Sequence, residues 1–117
     1  MSAGPIEQEL KLVCTPAALD QIAASGVLDP HLVGAPTVAH LVNTYFDTDD
    51  LRLARRRASL RVRRSGERRD LTLKCDAPGG PSLDRRSEWE VEITDDSPDL
   101  AAFGDPAVHE VVGAILP

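Results

Sequence analysis

The stretch SLRVRRSGERRDLTLKC, residues 59–75, alternates apolar with polar side chains on both sides of Ser65 and Gly66. A period of two is the pattern of a β-strand that buries one of its faces, and Ser-Gly is typical of a turn. The stretch therefore predicts one strand over residues 59–64 and a second over residues 70–75. Because a short turn joins them, we expect the two strands to pair antiparallel.

The flanking sequence adds three strands and three helices. Alternation, or enrichment in β-branched and aromatic residues, predicts the strands, at residues 6–13, 37–48 and 86–93. A capping residue or an acidic start predicts the helices, over residues 15–26, 49–58 and 105–116, of which the second is either a short helix or a turn. Residues 26–36 and the stretch DAPGGPS at 76–82 are loops by composition. The sequence shows neither an internal repeat nor a linker, so residues 1–117 are predicted to form one α+β unit.

The composition is that of a globular domain with no affinity for nucleic acid. The 117 residues are 42% hydrophobic and 27% charged, and their net charge of −6 repels nucleic acid. Aromatic residues make up 3% of the chain, which leaves few rings to stack on bases. Basic charge is nevertheless concentrated in one part of the chain, since nine arginines lie between residues 52 and 69.

The cysteines and the lack of long apolar runs indicate the compartment. No run is long and apolar enough to span a membrane, and the chain does not begin with a charged-then-apolar signal. A cytoplasmic protein without membrane contact is therefore predicted. Cys14 and Cys75 are far apart and are predicted to be buried free thiols. The three histidines lack the spacing of metal ligands and are predicted to be surface or structural residues.

Each predicted strand has a charged side. On the first strand, Glu7, Glu9 and Lys11 share that side. The later strands carry mostly full charges there, at Arg61, Arg63, Asp70, Thr72, Lys74, Arg86, Glu88, Glu90 and Glu92. A sheet face in contact with water shows the same alternation. Three features favour a binding site instead: neutral residues are scarce, acids and bases form separate blocks, and Arg61 and Arg63 repel each other unless an anion lies between them.

The residue types match the needs of a phosphate chain bound together with a metal ion. Paired carboxylates are hard oxygen donors that suit Mg²⁺ or Mn²⁺, and arginine and lysine bind phosphate oxygens. A site with both would bind a triphosphate-containing small molecule or a polyphosphate and support metal-assisted phosphoryl chemistry. The loop DAPGGPS lacks the GxxxxGK[ST] pattern, so a P-loop is not predicted.

Five segments in order resemble the CYTH family, also called the triphosphate tunnel metalloenzymes. They are the ExExK motif of Glu7, Glu9 and Lys11, NTYFDT at 43–48, SLRVR at 59–63, LTLK at 71–74 and RSEWEVEI at 86–93. An ExExK motif alone is a weak signal, whereas five ordered segments across about residues 6–94 are specific. The family includes class IV adenylate cyclases, thiamine triphosphatases, inorganic triphosphatases and RNA triphosphatases.

The resemblance implies an antiparallel β-barrel whose charged interior forms a tunnel for triphosphate. It implies that Mg²⁺ or Mn²⁺ binds to acidic residues, namely Glu7, Glu9, Glu88 and Glu90. The implied catalytic residues are Glu7, Glu9 and Lys11. The implied phosphate-binding residues are Lys11, Arg61, Arg63, Lys74 and Arg86. Glu92 is placed at the mouth of the tunnel.

Domains of this family continue beyond the present length, so the resemblance assigns the chain to the N-terminal half of such a barrel. The opposite wall is expected from a longer gene product, from a second copy in a homodimer, or from a partner chain. The leading hypothesis is metal-dependent hydrolysis of inorganic triphosphate or a similar compound. The alternatives are adenylate cyclase activity, binding of triphosphate or polyphosphate without turnover, and a structural barrel with a wet charged face.

Overall fold

The structure is a computed structural model that describes residues 5–81 and 85–116. The chain divides into two compact units, one of residues 1–9 and 40–117, the other of residues 10–39. In the described part of the chain, the first unit contains the strands and the second contains an α-helix.

The first unit is built on an antiparallel sheet of five strands in the order β1-β5-β4-β3-β2. The strands are Ile6–Gln8 (β1), Val42–Phe46 (β2), Ser59–Ser65 (β3), Arg68–Asp76 (β4) and Arg85–Ile93 (β5). Among the described residues β1 and β2 each pair with one strand, so the sheet is open at both edges. The predicted α+β class with an antiparallel sheet is confirmed, and an open sheet is what part of a barrel wall would form.

The first strand is shorter than predicted. It ends at Gln8 and not at residue 13. Its last residue, Gln8, pairs with Arg85 of β5. The expected single run of Glu7, Glu9 and Lys11 along one strand is therefore wrong, because only Glu7 lies in β1.

The Asp47 carboxylate ends β2 and begins the short helix α2, Arg52–Arg55. It accepts the backbone N–H of Leu53 at 2.9 Å and that of Ala54 at 3.1 Å. The strand predicted over residues 37–48 is limited to β2, Val42–Phe46, and this turn ends it. The helix predicted to reach Ala58 ends at Arg55, since Arg57 adopts a left-handed conformation with a φ of 56°.

Two other helices begin at the predicted capping residues. Helix α1, Pro16–Ala24, lies in the second unit, and the Thr15 hydroxyl accepts the N–H of Ala18 at 3.1 Å. Helix α3, Pro106–Ile115, begins at Asp105. Two 3₁₀ turns complete the described elements, at Asp29–His31 and Leu100–Ala102. No helix in the described ranges has the length and apolar character needed to cross a bilayer.

The core lies on one side of the sheet and includes one face of α3. Its buried side chains alternate along the strands and continue into α3, at Leu60, Val62, Leu71, Leu73, Trp89, Phe103, Val108 and Val112. The Trp89 indole donates its N–H to the Asp105 carboxylate at 2.9 Å. Asp105 also accepts the N–H of Ala107, so one carboxylate caps α3 and joins the helix to β5.

The two free cysteines differ in environment. Cys75 is buried in the core, as predicted, and burial raises the pKa of its thiol. Cys14 is exposed in the connection before α1, so the prediction that it is buried is wrong. The three histidines are exposed, in agreement with the surface alternative.

Leu73 provides a test of the core, because it lies in the central strand β4 with 0% of its surface exposed. We expect Leu73→Ala to lower the free energy of unfolding by about 3 kcal/mol, as a cavity in a packed core does. Val42→Ala on the edge strand β2 is the control, because Val42 is 52% exposed. Urea unfolding measures both changes, and equal losses for the two variants would contradict this position of the core.

Candidate functional site

The charged face is the side of the sheet opposite the core. Directly paired residues of an antiparallel sheet point to the same side, so the strand register arranges this face in rows. The rows are Arg63–Asp70–Glu92, Arg61–Thr72–Glu90, Lys74–Glu88 and Asp76–Arg86–Glu7. The structure thus brings together seven of the predicted site residues, namely Glu7, Arg61, Arg63, Lys74, Arg86, Glu88 and Glu90.

Lys74 joins two carboxylates from neighbouring strands. Its Nζ lies 2.9 Å from Oε2 of Glu7 on β1 and 3.9 Å from Oε2 of Glu88 on β5. The three side chains are 20% to 32% exposed, so solvent screens their charges only in part. The acid that accompanies Glu7 on this face is therefore Glu88, which the sequence could show only through the pairing of distant strands.

The pKa values of the two carboxylates shift in opposite directions. The hydrogen bond from Lys74 lowers the pKa of Glu7 below its ordinary value of 4.5. Burial raises the pKa of Glu88, and the neighbouring Glu7 carboxylate raises it further. A lysine beside two carboxylates thus stabilises one negative charge well and the second poorly.

The arginines of this face retain unused hydrogen-bonding capacity. In the described part of the chain, the buried Nε atoms of Arg61 and Arg86 have no acceptor. Arg86 donates through Nη2 to the backbone carbonyl of Arg57, and Arg63 donates through Nε to the Asn43 side-chain oxygen at 2.8 Å. Buried donors without acceptors are unfavourable, and oxyanions of a ligand would supply the missing acceptors.

Three acids of the charged face are bound by residues to which the sequence assigned no role. Asp70 accepts from Arg68 at 3.0 Å, and Asp76 accepts from Arg57 at 3.1 Å. A third acid, Glu90, accepts from the Thr72 hydroxyl at 3.1 Å. The sequence placed Thr72 on the polar side, but nothing in its pattern singled out this contact.

With this geometry in view, comparison with protein families is decisive. The family model described as CYTH domain matches residues 5–115. The chain belongs to the CYTH domain family. The CYTH match extends past β5 and across α3, further than the five segments on which the resemblance rested. CYTH proteins include triphosphatases and cyclases and depend on metal in general. Among curated proteins, none matches the chain.

Two residues of the CYTH ExExK motif lie outside the strand register. Glu9 follows the end of β1 and is exposed. Lys11 belongs to the unit of residues 10–39. The roles expected for these two residues stay predictions, and so does the place of Glu92 at a tunnel mouth.

The acidic residues of this CYTH domain fit a divalent cation through a small number of protein ligands. Within residues 5–81 and 85–116, histidine, cysteine, aspartate and glutamate form no cluster of three that could hold a metal ion. The neighbouring carboxylates of Glu7 and Glu88 nevertheless supply hard oxygen donors. Mg²⁺ is commonly bound by one or two carboxylates, with water and substrate phosphates completing its coordination.

Glu88 gives a test of the electrostatics without metal. An acid with a raised pKa binds its proton more tightly in the folded protein, so ionised Glu88 lowers stability above that pKa and the loss disappears as the pH falls. In EDTA, we therefore expect Glu88→Gln to melt at a higher temperature than the wild type at pH 7. The difference should vanish as the pH falls through the raised pKa towards 4.5.

The matched control is Glu92→Gln, on the same strand with its side chain 60% exposed. We expect this control to change the melting temperature little between pH 7 and pH 4. A Glu88→Gln variant that melts below the wild type at pH 7 would show that attraction to Lys74 outweighs the effect of burial.

Proposed function

We propose that this CYTH domain binds a triphosphate on its charged face and hydrolyses it with the help of Mg²⁺ or Mn²⁺. Inorganic triphosphate, or a similar compound, is the proposed substrate. The observation that carries the proposal is the pair of buried Nε atoms of Arg61 and Arg86, which have no acceptor among the described residues and lie on the same face as the carboxylates of Glu7 and Glu88. Phosphate oxygens satisfy guanidinium donors, and the carboxylates suit the metal that accompanies a triphosphate.

The spacing of the cations favours a chain of phosphates over a single phosphate. Arg61 and Arg63 are two residues apart on β3, which separates their Cα atoms by roughly 7 Å. Lys74 and Arg86 extend the same face across β4 and β5. A ligand that contacts cations on three neighbouring strands has to be longer than orthophosphate.

Glu7 and Glu88 are the residues proposed to hold the metal. A bound divalent ion would neutralise phosphate charge and promote attack by water. Arg61, Arg63, Lys74 and Arg86 would orient the phosphate chain and stabilise charge on its oxygens. Hydrolysis breaks the bond between the terminal phosphorus and a bridging oxygen, joins that phosphorus to a water oxygen, and releases a proton to solvent.

The open sheet favours a second candidate, a module that binds triphosphate or polyphosphate without turnover. In the described residues one sheet supplies the whole charged face, so a bound anion would contact protein from one side. For the catalytic form, we propose that a second copy in a homodimer, or a partner chain, supplies the opposite wall. Hydrolysis per molecule that rises with protein concentration supports the homodimer.

Phosphate release tests the catalytic proposal. The chain incubated with tripolyphosphate and Mg²⁺ or Mn²⁺ should release orthophosphate. We expect Glu7→Gln to lower the rate by about a hundredfold, the upper end of the effect of disturbing the surroundings of a metal. Glu67→Gln makes the same change in the exposed β3–β4 turn and should leave the rate unchanged.

Full turnover by Glu7→Gln would contradict the metal assignment. Tight binding of tripolyphosphate without release would support the binding module. Formation of cyclic AMP and diphosphate from ATP, without orthophosphate, would support the cyclase alternative, in which a ribose hydroxyl replaces water.

Arg61 and Arg64 give a matched test of phosphate binding. Both lie on β3, but Arg61 is on the charged face, whereas Arg64 points to the other side and is exposed. We expect Arg61→Ala to weaken tripolyphosphate binding by about tenfold or more, since hydrogen bonds to charged groups contribute roughly 1.5–3 kcal/mol. Arg64→Ala removes the same charge and should leave the calorimetric dissociation constant within about twofold of wild type. Equal losses would show attraction by net charge alone.

A further inference from the structure

The register places acids directly beside two arginines of the charged face and one strand further from the third. Asp70 is opposite Arg63, and Arg86 lies between Asp76 and Glu7. Such cross-strand neighbours are close enough to form ion pairs. Among the described residues, however, neither Arg63 nor Arg86 forms an ion pair with these acids, whereas other cations do.

The same holds in the row of Arg61. Glu90 lies in this row, one strand beyond Thr72. Its carboxylate accepts the hydroxyl of Thr72 at 3.1 Å, while the Nε of Arg61 has no acceptor in the described part of the chain. The acid is thus bound by a neutral residue, and the guanidinium keeps its donor capacity.

We propose that Thr72, Arg57 and Arg68 are positioning residues that bind the acids of the charged face and so keep its arginines available to a triphosphate. The inference rests on the proposed function and extends it, since none of the three residues need touch the ligand. Each acts through an acid: Thr72 through Glu90, Arg57 through Asp76, and Arg68 through Asp70.

Thr72 carries the clearest case. It is 1% exposed in the central strand β4, a position where valine would fit equally well and avoid burying a hydroxyl. Among the described residues, its hydroxyl makes one hydrogen bond, which it donates to Glu90. Without that bond, the nearest unsatisfied donor in the row is the Arg61 guanidinium, so Glu90 would pair with the arginine that the ligand needs.

Arg57, which follows helix α2, likewise binds an acid of the charged face. Its φ of 56° is a conformation that glycine adopts more easily than arginine. In this conformation the Arg57 carbonyl accepts from Arg86, and the Arg57 side chain holds both oxygens of Asp76, at 3.1 and 3.2 Å. The acid directly opposite Arg86 is thereby bound to a cation that lies outside the sheet.

The test uses Thr72→Val, which preserves shape and charge, in calorimetric titrations with tripolyphosphate and without metal. We expect binding about tenfold weaker than wild type, because Glu90 competes for Arg61 with a charge-assisted hydrogen bond. Thr72→Ser keeps the hydroxyl and should keep wild-type affinity. In a Glu90→Gln background there is no acid to bind, so adding Thr72→Val should change the affinity less than twofold.

Three outcomes of these titrations would overturn the proposal. A tenfold loss with Thr72→Val that recurs in the Glu90→Gln background overturns the proposal, because the loss is then structural. Wild-type affinity in Thr72→Val overturns it too, while leaving the proposed function intact. A wild-type protein that does not bind tripolyphosphate overturns both.

Arg57 provides the second cycle if Thr72→Val does not fold. We expect Arg57→Gly to weaken tripolyphosphate binding while the thermal melt shows a folded protein, and Asp76→Asn added to it should restore the affinity. Arg56→Gly removes an equal charge next to Arg57 and is the control. Equal weakening of binding by Arg56→Gly and Arg57→Gly would show an effect of net charge and overturn the proposal. The proposal is also overturned if Asp76→Asn strengthens binding as much in the wild type as it does in Arg57→Gly.

Discussion

The site depends on the burial of Leu71 and Leu73 in β4. Both side chains are 0% exposed at the centre of the sheet, and alternation then directs Thr72 and Lys74 to the opposite face. A slip of one residue in register would move charges into the core. The hydrophobic effect acts on the other face of the sheet, but it therefore sets which acid lies beside which base on the charged face.

A face with acids and bases in adjacent rows has two ways to satisfy its charges. Its own side chains can pair with one another, or they can hold an external anion and its metal. The structure combines these options. Glu7 pairs with Lys74, and Asp76 pairs with Arg57, while Arg61 and Arg86 keep buried donors without acceptors in the described residues. Local pairing of the acids lets a chain with a net charge of −6 present a surface that suits a polyanion.

The sequence predicted the strands and helix starts that depend on local pattern. Alternation located β3, β4 and β5 within a few residues, and the capping residues Thr15 and Asp105 located the starts of α1 and α3. The neighbours of each charged side chain depend on pairing between strands that are distant in the sequence, which the local pattern does not show. The strand with the ExExK motif ends at Gln8, and such pairing brings Lys74 and Glu88 next to Glu7. Arg57 adopts its left-handed conformation at the C-terminal cap of α2, where its N–H bonds to the Ala54 carbonyl and the Ala58 N–H bonds to the Leu53 carbonyl. Glycine is the usual residue at such a position, so an arginine there gave no signal of the cap in the sequence.

The strength of the charge interactions on this face depends on whether the face is open to water or covered by a second wall. Two unit charges about 4 Å apart interact by about 1 kcal/mol in bulk water but by about 4 kcal/mol near a protein surface of lower effective dielectric constant. A second wall over this sheet would thus strengthen the hold of Arg61 and Arg86 on phosphate. It would equally strengthen any pairing of these arginines with Glu90 or Asp76. The hydrogen bonds that occupy those acids would therefore matter even more once the face is covered, which links the proposed role of Thr72 to the proposed second wall.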